Sequence, residues 1–431
     1  MKSVIKKTID GDLKMNLKQL IFVSIILTGM VSCGGNDTKN VNNSDPLDYT
    51  SKVDVIMQQW DGKFCWSQAR VASIPGMGKN GQPLLITTMQ KWFVSHSDFY
   101  SGLYTMKSDD MGATWTEPKE ESALGWRYRK DSVIVGICDI TPGWHAPTGK
   151  LLALGHTVYY NKGGGELLKQ RMRSTAYAVY DPETDHWLPW KQLKMPDEYK
   201  FYNSGSGCGQ WVVKDDGKLL IPAYFKAKDD TSNCYTSTIL HCSFDGEQLT
   251  YDKHGEELSW NVPRGVYEPS LTFFRGRYYL TLRNDIKAYV SVSDDAMQWQ
   301  PFKPWTFEDG SELGSYNTQQ HWATHSDGLF LVYTRRGAKN DHIPRNRAPL
   351  FMARVDTDKL QVLKSTEQIV IPERGAMMGN FGVSNISEDE SWVTVGENMY
   401  PPENLDLGAD GSVLAARISW SKPNMMTINP D

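Results

Sequence analysis

The sequence has few cysteines, and their spacing argues against two common kinds of site. Six cysteines occur in 431 residues, one of them in an N-terminal apolar segment. The other five are Cys65, Cys138, Cys208, Cys234 and Cys242. An odd number without Cys-x-x-Cys spacing argues against a disulfide framework and against a zinc site. A Cys234–Cys242 pair is an alternative to two buried free thiols, which we favour. We therefore expect no metal and no cofactor.

The sequence also lacks an excess of positive charge. Its formal net charge is −5 at pH 7, whereas nucleic-acid binding needs a basic patch or stripe. We therefore expect no nucleic-acid partner. Aromatic residues, in contrast, are abundant, with 15 Trp and 20 Tyr. This composition is typical of a dense β-protein with rings available as a platform for sugars.

Long apolar runs are scarce, and the one near the N-terminus is too short to span a membrane. After Lys18, apolar residues predominate from Leu20 to Val31, and Ser32 and Cys33 follow. A bilayer core of ~30 Å needs about 20 apolar residues in a helix, which disfavours a spanning segment. The order of charge, apolar run and small residue is the layout of a secretory signal.

Met30-Val31-Ser32-Cys33 resembles a bacterial lipobox, in which the cysteine becomes the lipidated first residue. We predict that residues 1–33 are a signal peptide, with Met15 as an alternative start, and that Cys33 carries a lipid anchor. Residues 34–45 are predicted to be a flexible tether because they are polar. The expected protein is an exported bacterial lipoprotein of the periplasm or outer-membrane surface, attached to the membrane through Cys33, with its oligomeric state left open.

Residues 108–115 form the most informative motif of the chain. Their sequence, Ser-Asp-Asp-Met-Gly-Ala-Thr-Trp, fits the pattern Ser-x-Asp-x-Gly-x-Thr-Trp, the Asp box that resembles those of sialidase-like β-propellers. The short polar side chains are expected to hydrogen-bond a tight hairpin, Gly112 to adopt a positive φ, and Trp115 to pack beneath the turn. The motif predicts an architecture and no reaction.

A turn that leads into an apolar strand recurs six times along the chain. The turns are Asn80-Gly81, Thr148-Gly149, Asp216-Gly217, Arg275-Gly276, Asp327-Gly328 and Asp389-Glu390. They lie about 50 to 70 residues apart, which suits one four-stranded blade and a loop per repeat. Residues 181–187 and 293–299 keep parts of the Asp box, although an ordinary polar hairpin over a buried Trp explains them. Residues 46–431 are therefore predicted to form one all-β domain, a six-bladed propeller with four-stranded antiparallel blades.

Beyond the Asp box, residues 60–397 resemble bacterial and animal exo-sialidases at low motif density. Those enzymes hold the sialic-acid carboxylate with three arginines, protonate the leaving oxygen with an Asp, and attack with a Tyr that a Glu activates. The resemblance assigns the arginines to three positions, Arg70, Arg283 and Arg347. Arg345 and the pair Arg335-Arg336 compete with Arg347. Because guanidinium groups that converge on one point suit a carboxylate, we expect a carboxylated substrate.

The resemblance also assigns the acid and the base. Asp98 precedes the first Asp box, where sialidases carry the acid; a solvated loop carboxylate is the alternative. Glu268 and Arg283 match the strand pair that carries the sialidase Glu and second arginine, and an ordinary cross-strand ion pair is the alternative. We therefore expect Asp98 to act as the acid and Glu268 as the base or nucleophile.

The nucleophilic Tyr of the family has no counterpart in the aligned segment. Phe381, or Asn380, stands at its position, and neither side chain can attack. Tyr316 is an alternative nucleophile, and Tyr316 and His321 are further candidates for substrate binding. Otherwise Asp98 and Glu268 catalyse attack by a water molecule, which inverts the configuration of the anomeric carbon. A further alternative is that Glu268 itself attacks a sugar that has no carboxylate on its anomeric carbon.

The predicted function is that of a sialidase-like exo-glycoside hydrolase, which releases a terminal carboxylated sugar from glycans, sialic acid by default. A uronate-directed glycosidase or polysaccharide lyase is an alternative, in which a His or Tyr removes a proton. The candidate bases are His145, His156, His321 and His342, and residues 138–145 and 340–342 are predicted to be loops. A non-catalytic glycan-binding lipoprotein is the third possibility, for which Asp98 and Glu268 are dispensable.

Overall fold

The computed structural model describes residues 47–162, 164–165, 172–400 and 407–426. Cys33, the predicted signal peptide and the predicted tether lie outside these ranges. Half of the chain is β-strand, so the all-β prediction is confirmed. The helical segments in the described residues are short 3-10 turns, Lys79–Gly81, Ser122–Leu124, Ala146–Thr148, Pro344–Asn346 and Lys364–Thr366. None of the helices in these ranges has the length and apolar character needed to cross a membrane.

The described strands form six hydrogen-bonded sheets, which we number in chain order. Sheet 1 contains Phe64–Ile74, Leu84–Phe93, Tyr100–Ser108 and Lys119–Glu120. Sheet 2 contains Arg127–Tyr128, Ile134–His145, Lys150–Tyr160, Thr175–Asp181, His186–Trp187 and Lys191–Gln192. Sheet 3 contains Asn203–Gly205, Val212–Val213, Leu219–Lys226, Cys234–Phe244, Leu249–His254, Leu258–Ser259 and Arg264–Gly265.

The second half of the chain continues the pattern. Sheet 4 contains Tyr267–Phe274, Arg277–Arg283, Tyr289–Ser293 and Lys303–Pro304. Sheet 5 contains His321–His325, Gly328–Tyr333, Leu350–Asp356, Gln361–Val362 and Gln368–Ile371. Sheet 6 contains Gly382–Asn385, Glu390–Gly396, Ser412–Trp420 and the N-terminal strand Tyr49–Gln58.

Sheet 6 joins the two ends of the described chain. Tyr49–Gln58 pairs antiparallel with Ser412–Trp420, from Tyr49 opposite Trp420 to Gln58 opposite Ser412. The strand Phe64–Ile74 of sheet 1 contacts both sheet 2 and sheet 6, and the innermost strands of sheets 4, 5 and 6 contact one another in turn. Each sheet thus meets the next around a common centre, which is a β-propeller arrangement.

The hydrophobic core is divided among the junctions between neighbouring sheets. Six clusters of buried apolar side chains each draw on two adjacent sheets. Trp66 and Trp392, for example, lie in the cluster between sheets 1 and 6, and Trp322 lies in the cluster between sheets 4 and 5. Burial of these faces contributes roughly 25 cal/mol per Å² of apolar surface to the stability of the ring.

The predicted turns lie where the sequence analysis expects them. Each of the six lies directly before, or at the start of, a long strand of a different sheet, as Asn80-Gly81 does before Leu84–Phe93 and Asp216-Gly217 before Leu219–Lys226. Gly81 and Gly217 have φ values of 77° and 76°, a region that favours glycine. The repeat therefore marks the innermost hairpin of every sheet.

The turn at residues 108–115 has the hydrogen bonds that its side chains predict. The amide of Gly112 donates to Ser108 Oγ at 2.8 Å. Thr114 donates to Asp110 through its amide at 2.8 Å and through its hydroxyl at 2.6 Å. Gly112 has a φ of 78°, and the Trp115 ring packs against Trp392 with centroids 6.4 Å apart. The motif therefore fixes the contact between sheets 1 and 6.

Two predictions about local structure need correction or refinement. Residues 138–145 are not a loop but belong to the strand Ile134–His145, because they pair with Lys150–Tyr160 in sheet 2. Cys234 and Cys242 lie on one strand, Cys234–Phe244, and both are free thiols, with Cys242 buried and Cys234 partly exposed. The segment 340–342 lies outside the strands, as predicted.

Candidate functional site

A cavity of about 390 Å³ lies where the amino-terminal ends of several innermost strands meet. Its wall contains five charged side chains that carry most of its chemistry, Asp98, Asp139, Glu268, Arg283 and Arg347. We call it the charged cavity. Arg173, Arg264, Arg345 and Asp285 also line it. The sheets thus bring to one point charges that are distant in sequence.

Glu268 and Arg283 form a buried ion pair in the wall of this cavity. Glu268 is the second residue of Tyr267–Phe274, and a bulge between Tyr267 and Ser270 gives it a φ of 45°. Its carboxylate accepts a hydrogen bond from Arg283 Nη1 and another from Gln319 Nε2 at 3.2 Å. Burial alone would raise the pKa of Glu268, but Arg283 outweighs it and holds that pKa below the usual value. Glu268 is therefore ionised at neutral pH.

Arg347 is a buried cation with no carboxylate partner among the described residues. It is 7% exposed, and its guanidinium donates to the carbonyl oxygen of Asn317 from Nη2 at 2.6 Å and from Nε at 3.3 Å. Burial, together with repulsion from Arg283 and Arg345, lowers the pKa of Arg347 to about 10. A buried charge without a counter-charge is costly, so an anion in the cavity would be stabilised there.

Asp98 lies exposed at the edge of the charged cavity with a φ of 54°. Its carboxylate accepts hydrogen bonds from the hydroxyl of Ser97 at 3.1 Å and of Tyr100 at 3.3 Å. Burial, and then the charge of Asp98, raise the pKa of Tyr100. Tyr100 is therefore a neutral hydrogen-bond donor that orients Asp98.

Asp139 is a cavity carboxylate that the sequence analysis missed. It stands in a bulge of Ile134–His145 with a φ of 54°. One oxygen lies 3.6 Å from Arg70 Nη2, and the other lies 3.8 Å from His156 Nε2. Burial raises the pKa of Asp139 although Arg70 opposes the shift. The sequence predicts a loop over residues 138–145, and no sequence signal distinguishes the bulge.

Three of the predicted binding residues do not line the charged cavity. Arg70 is fully buried behind Asp139 and donates from Nη1 to the carbonyl oxygen of Ile140 at 3.1 Å. The hydroxyl of Tyr316 donates to Asn346 Oδ1 at 2.8 Å. His321 is buried, with Nδ1 3.0 Å from Ser270 Oγ. Of the three predicted arginines, Arg283 and Arg347 therefore line the cavity, and Arg70 contacts one of its carboxylates.

The segment that aligns with the missing Tyr contributes an amide to the cavity. Asn380 lines the cavity and its Oδ1 accepts from Gln319 Nε2 at 3.3 Å. Phe381 is fully buried and packs edge-on against His321, with ring centroids 4.9 Å apart. Among the described residues, the tyrosines that line the cavity are Tyr100 and Tyr400.

The remaining candidate residues divide clearly between the cavity and other parts of the molecule. Arg345 lines the cavity, whereas Arg335 makes two hydrogen bonds to Glu367 at 2.8 and 2.6 Å away from it. Of the histidines in the described part of the chain, His156 lines the cavity. His145 binds the carbonyl oxygen of Gly217 through Nε2 at 2.9 Å, and His342 lies on the surface beside Glu373.

A second cavity, of about 500 Å³, lies at the carboxyl-terminal ends of innermost strands. It is lined by Ser73, Thr141, Trp144, Gln210, Trp211, Ser384 and other residues, none of which is charged among those described. We call it the uncharged cavity. Between the two, Gln210 donates to the carbonyl oxygens of Trp322 at 2.9 Å and Val383 at 3.1 Å and so links three sheets.

Comparison with known proteins finds sialidases that resemble this chain in sequence or in fold. No family model matches the chain. A sialidase of Clostridium perfringens is 24% identical over 300 residues, which cover 65% of this chain and 73% of that protein.

Solved structures share the fold at low identity. The sialidase of Trypanosoma rangeli superposes with a TM-score of 0.59 at 14% identity over 85% of this chain, which spans 59% of that one. The Hadza microbial sialidase Hz136 gives a TM-score of 0.56 at 12% identity, with 83% and 66% of the two chains covered. Together with the ring of sheets, these similarities show that the chain has the β-propeller fold of the sialidases.

Proposed function

We propose that the protein is a glycoside hydrolase that releases a terminal sugar carrying a carboxylate. The observation that carries the proposal is the buried guanidinium of Arg347, which lines the cavity without a carboxylate partner among the described residues. A planar guanidinium binds a carboxylate with two parallel hydrogen bonds. The Clostridium relative, named a sialidase, supports the same substrate class.

In this proposal Arg347 and Arg283 hold the substrate carboxylate. Arg283 already pairs with Glu268, so a substrate carboxylate competes with Glu268 for the same cation. That competition weakens the hold of Arg283 on Glu268 and raises the basicity of Glu268 when substrate is bound. The ion pair thus keeps the base inactive until the cavity is filled.

In the proposed reaction a water molecule attacks the sugar and inverts the configuration of its anomeric carbon. Asp98, at the cavity edge beside Tyr100, donates a proton to the leaving oxygen while Glu268 accepts a proton from the water that attacks the anomeric carbon. The leaving sugar departs as an alcohol and the released sugar gains the hydroxyl. What supports this assignment is the sequence resemblance, which aligns Phe381 or Asn380 with the nucleophilic Tyr of the family; Asn380 lines the cavity and Phe381 is buried.

The test is product analysis with the purified protein. Sialyllactoses of both common linkages and uronate-containing oligosaccharides are incubated with the wild type, Asp98→Asn and Glu268→Gln, and the products are followed by mass spectrometry. We expect one free acidic sugar from the wild type and at least a 100-fold slower release from each variant, the scale of general acid–base catalysis. Release at the wild-type rate by both variants would contradict the roles of these carboxylates.

A lyase is the second candidate because His156 lines the same cavity as the arginines. A lyase product is lighter by one water than the hydrolysis product, so the same spectra distinguish the two reactions. If glycans bind and no product forms, and if Asp98→Asn and Glu268→Gln bind equally well, the protein is a glycan-binding module.

We further propose that each of the six sheets is one blade, that the propeller domain comprises residues 46–431, and that the chain is exported and anchored through a lipid on Cys33. The apolar run before Cys33 and the polar segment after it support the anchor. Metabolic labelling with a radioactive fatty acid tests it. Cys33→Ser is expected to remove the label, and an unlabelled wild type would exclude the anchor.

A further inference from the structure

Three side chains of the kinds that bind transition metals meet in the wall of the charged cavity. They are Cys138, Asp139 and His156, and their ligand atoms all lie within 4.8 Å of one another. Asp139 Oδ2 is 3.6 Å from Cys138 Sγ and 3.8 Å from His156 Nε2. A tetrahedral zinc ion, with bonds of about 2.0–2.3 Å, separates its ligands by roughly 3.3–3.8 Å. The two separations from Asp139 Oδ2 therefore lie in or at the edge of this range, and the third, between Cys138 Sγ and His156 Nε2, is at most 4.8 Å.

The fold brings these residues together through one strand pair and one bulge. Cys138 and His156 stand opposite each other on antiparallel strands, so their side chains share a face of sheet 2. Neighbouring residues of a regular strand point to opposite faces. The register shift after Cys138 and the φ of 54° at Asp139 remove that alternation. The bulge thus adds a carboxylate to a thiol and an imidazole.

Surrounding groups already orient the three side chains. Gln68 Nε2 lies 3.3 Å from Cys138 Sγ, and Gln68 Oε1 accepts the amide of Asp139 at 2.9 Å. The hydroxyl of Tyr224 lies 3.5 Å from His156 Nδ1, so that Nε2 faces Asp139. Arg70 approaches the other oxygen of Asp139 at 3.6 Å. Such outer contacts are what fix ligand geometry in metal sites.

We propose that Cys138 Sγ, Asp139 Oδ2 and His156 Nε2 form a three-ligand site for a zinc-class divalent cation, with the fourth position open to the charged cavity. Thiolate and imidazole ligands select zinc over magnesium or calcium. Binding breaks the S–H bond of Cys138, the thiolate keeps the electron pair for the metal, and the proton leaves to the solvent.

An ion at this position adds a positive centre to the cavity wall and offers one coordination position to a water or a sugar oxygen. The site does not depend on the proposed hydrolysis, because metal binding is measured directly. Failure of the metal site therefore leaves the glycosidase proposal standing, and the reverse also holds.

The test is titration of the chelator-treated protein with Co²⁺, followed by competition with Zn²⁺. Cobalt bound to a thiolate gives a charge-transfer absorption band in the near ultraviolet, which reports Cys138 directly. We expect one equivalent of Co²⁺ per chain, a band that Zn²⁺ abolishes, and one bound Zn²⁺ by native mass spectrometry.

Three single variants and a matched control make the result specific. Cys138→Ser is expected to remove the band, and Asp139→Asn and His156→Gln each to weaken Zn²⁺ binding at least 10-fold to 100-fold, the scale known even for supporting groups. Cys242→Ser, which removes another buried free thiol of sheet 3, should leave the band unchanged. No band in the wild type, or an unchanged band in Cys138→Ser, would overturn the site. Circular dichroism confirms folding, and the two near-isosteric variants Asp139→Asn and His156→Gln decide the question if Cys138→Ser unfolds.

Discussion

The two cavities lie at opposite ends of the innermost strands and differ in charge far more than in size. The charged cavity has a volume of about 390 Å³. Its wall contains the pair of Arg283 and Glu268, four further arginines, several other carboxylates and a histidine. The uncharged cavity, about 500 Å³, has no charged residue in its described wall. Strand direction explains the difference in position, since one cavity lies at the amino-terminal and the other at the carboxyl-terminal ends. The comparison teaches that volume alone does not locate the chemistry of this molecule.

The largest expected effect comes from breaking the ion pair of the charged cavity. Arg283→Leu leaves Glu268 buried without its partner, so unfolding measured in urea should show a loss of about 3–5 kcal/mol. Replacing both residues by Leu should recover most of that loss. Ser384→Ala in the uncharged cavity removes one hydroxyl hydrogen bond to the carbonyl oxygen of Val71 and should cost only about 1 kcal/mol. Equal costs for Arg283→Leu and Ser384→Ala would remove the energetic contrast.

The second-largest expected effect is weaker anion binding when Arg347 is replaced. Arg347→Gln should weaken binding of a carboxylated sugar about 10-fold to 100-fold, because a hydrogen bond to a charged group contributes about 1.5–3 kcal/mol. Calorimetric titration measures the change. Arg354→Gln is the charge-matched control outside both cavities, since Arg354 binds the carbonyl oxygen of Asp327. Trp144→Ala tests the uncharged cavity. A larger loss from Trp144→Ala would assign the sugar to that end instead.

A third effect concerns the dependence of stability on pH and comes from His321, in an innermost strand of sheet 5. Burial lowers the pKa of His321 to about 3, whereas an unfolded His takes up a proton below about 6.5. The unfolded state therefore binds more protons between these values, and stability falls as pH drops through that window. At pH 5 the loss relative to pH 7 is about 2 kcal/mol. His321→Gln should flatten the dependence; an equally steep fall in that variant would assign acid sensitivity to other groups.

The smallest effect on anion affinity should come from the turn between sheets 1 and 6, far from the chemistry. Gly112 has a φ of 78°, and an added Cβ would lie 2.5 Å from the Trp392 ring. Gly112→Ala should cost about 1–2 kcal/mol from the backbone alone, with extra strain against the ring, and leave anion affinity unchanged. Thermal unfolding and calorimetric titration of the same preparation measure both. A selective loss of affinity would show that the turn acts on the charged cavity.

The sequence predicts the fold better than the site, for a physical reason. Turns such as residues 108–115 are encoded locally, because side chains bond the backbone within a few residues. Glu268 and Arg283 were predictable because the resemblance to sialidases assigns both to a pair of neighbouring strands, although Glu268 itself stands in a bulge. The place of Asp139 in the cavity was not predictable, since the direction of its side chain depends on a bulge that the pattern of residues does not indicate. Arg70 has the expected residue type but lies behind the wall of the cavity.

The pairing of Tyr49–Gln58 with Ser412–Trp420 has a consequence for biosynthesis. The strand that is synthesised first in the described domain can pair only when the last strand has been synthesised. Sheet 6 is therefore completed only after nearly all of the domain has left the ribosome. Until then Tyr49–Gln58 offers unpaired backbone groups to any other chain. The ring therefore closes in one late, long-range step of the kind that slows folding, and premature termination before residue 412 would leave an open edge ready to aggregate.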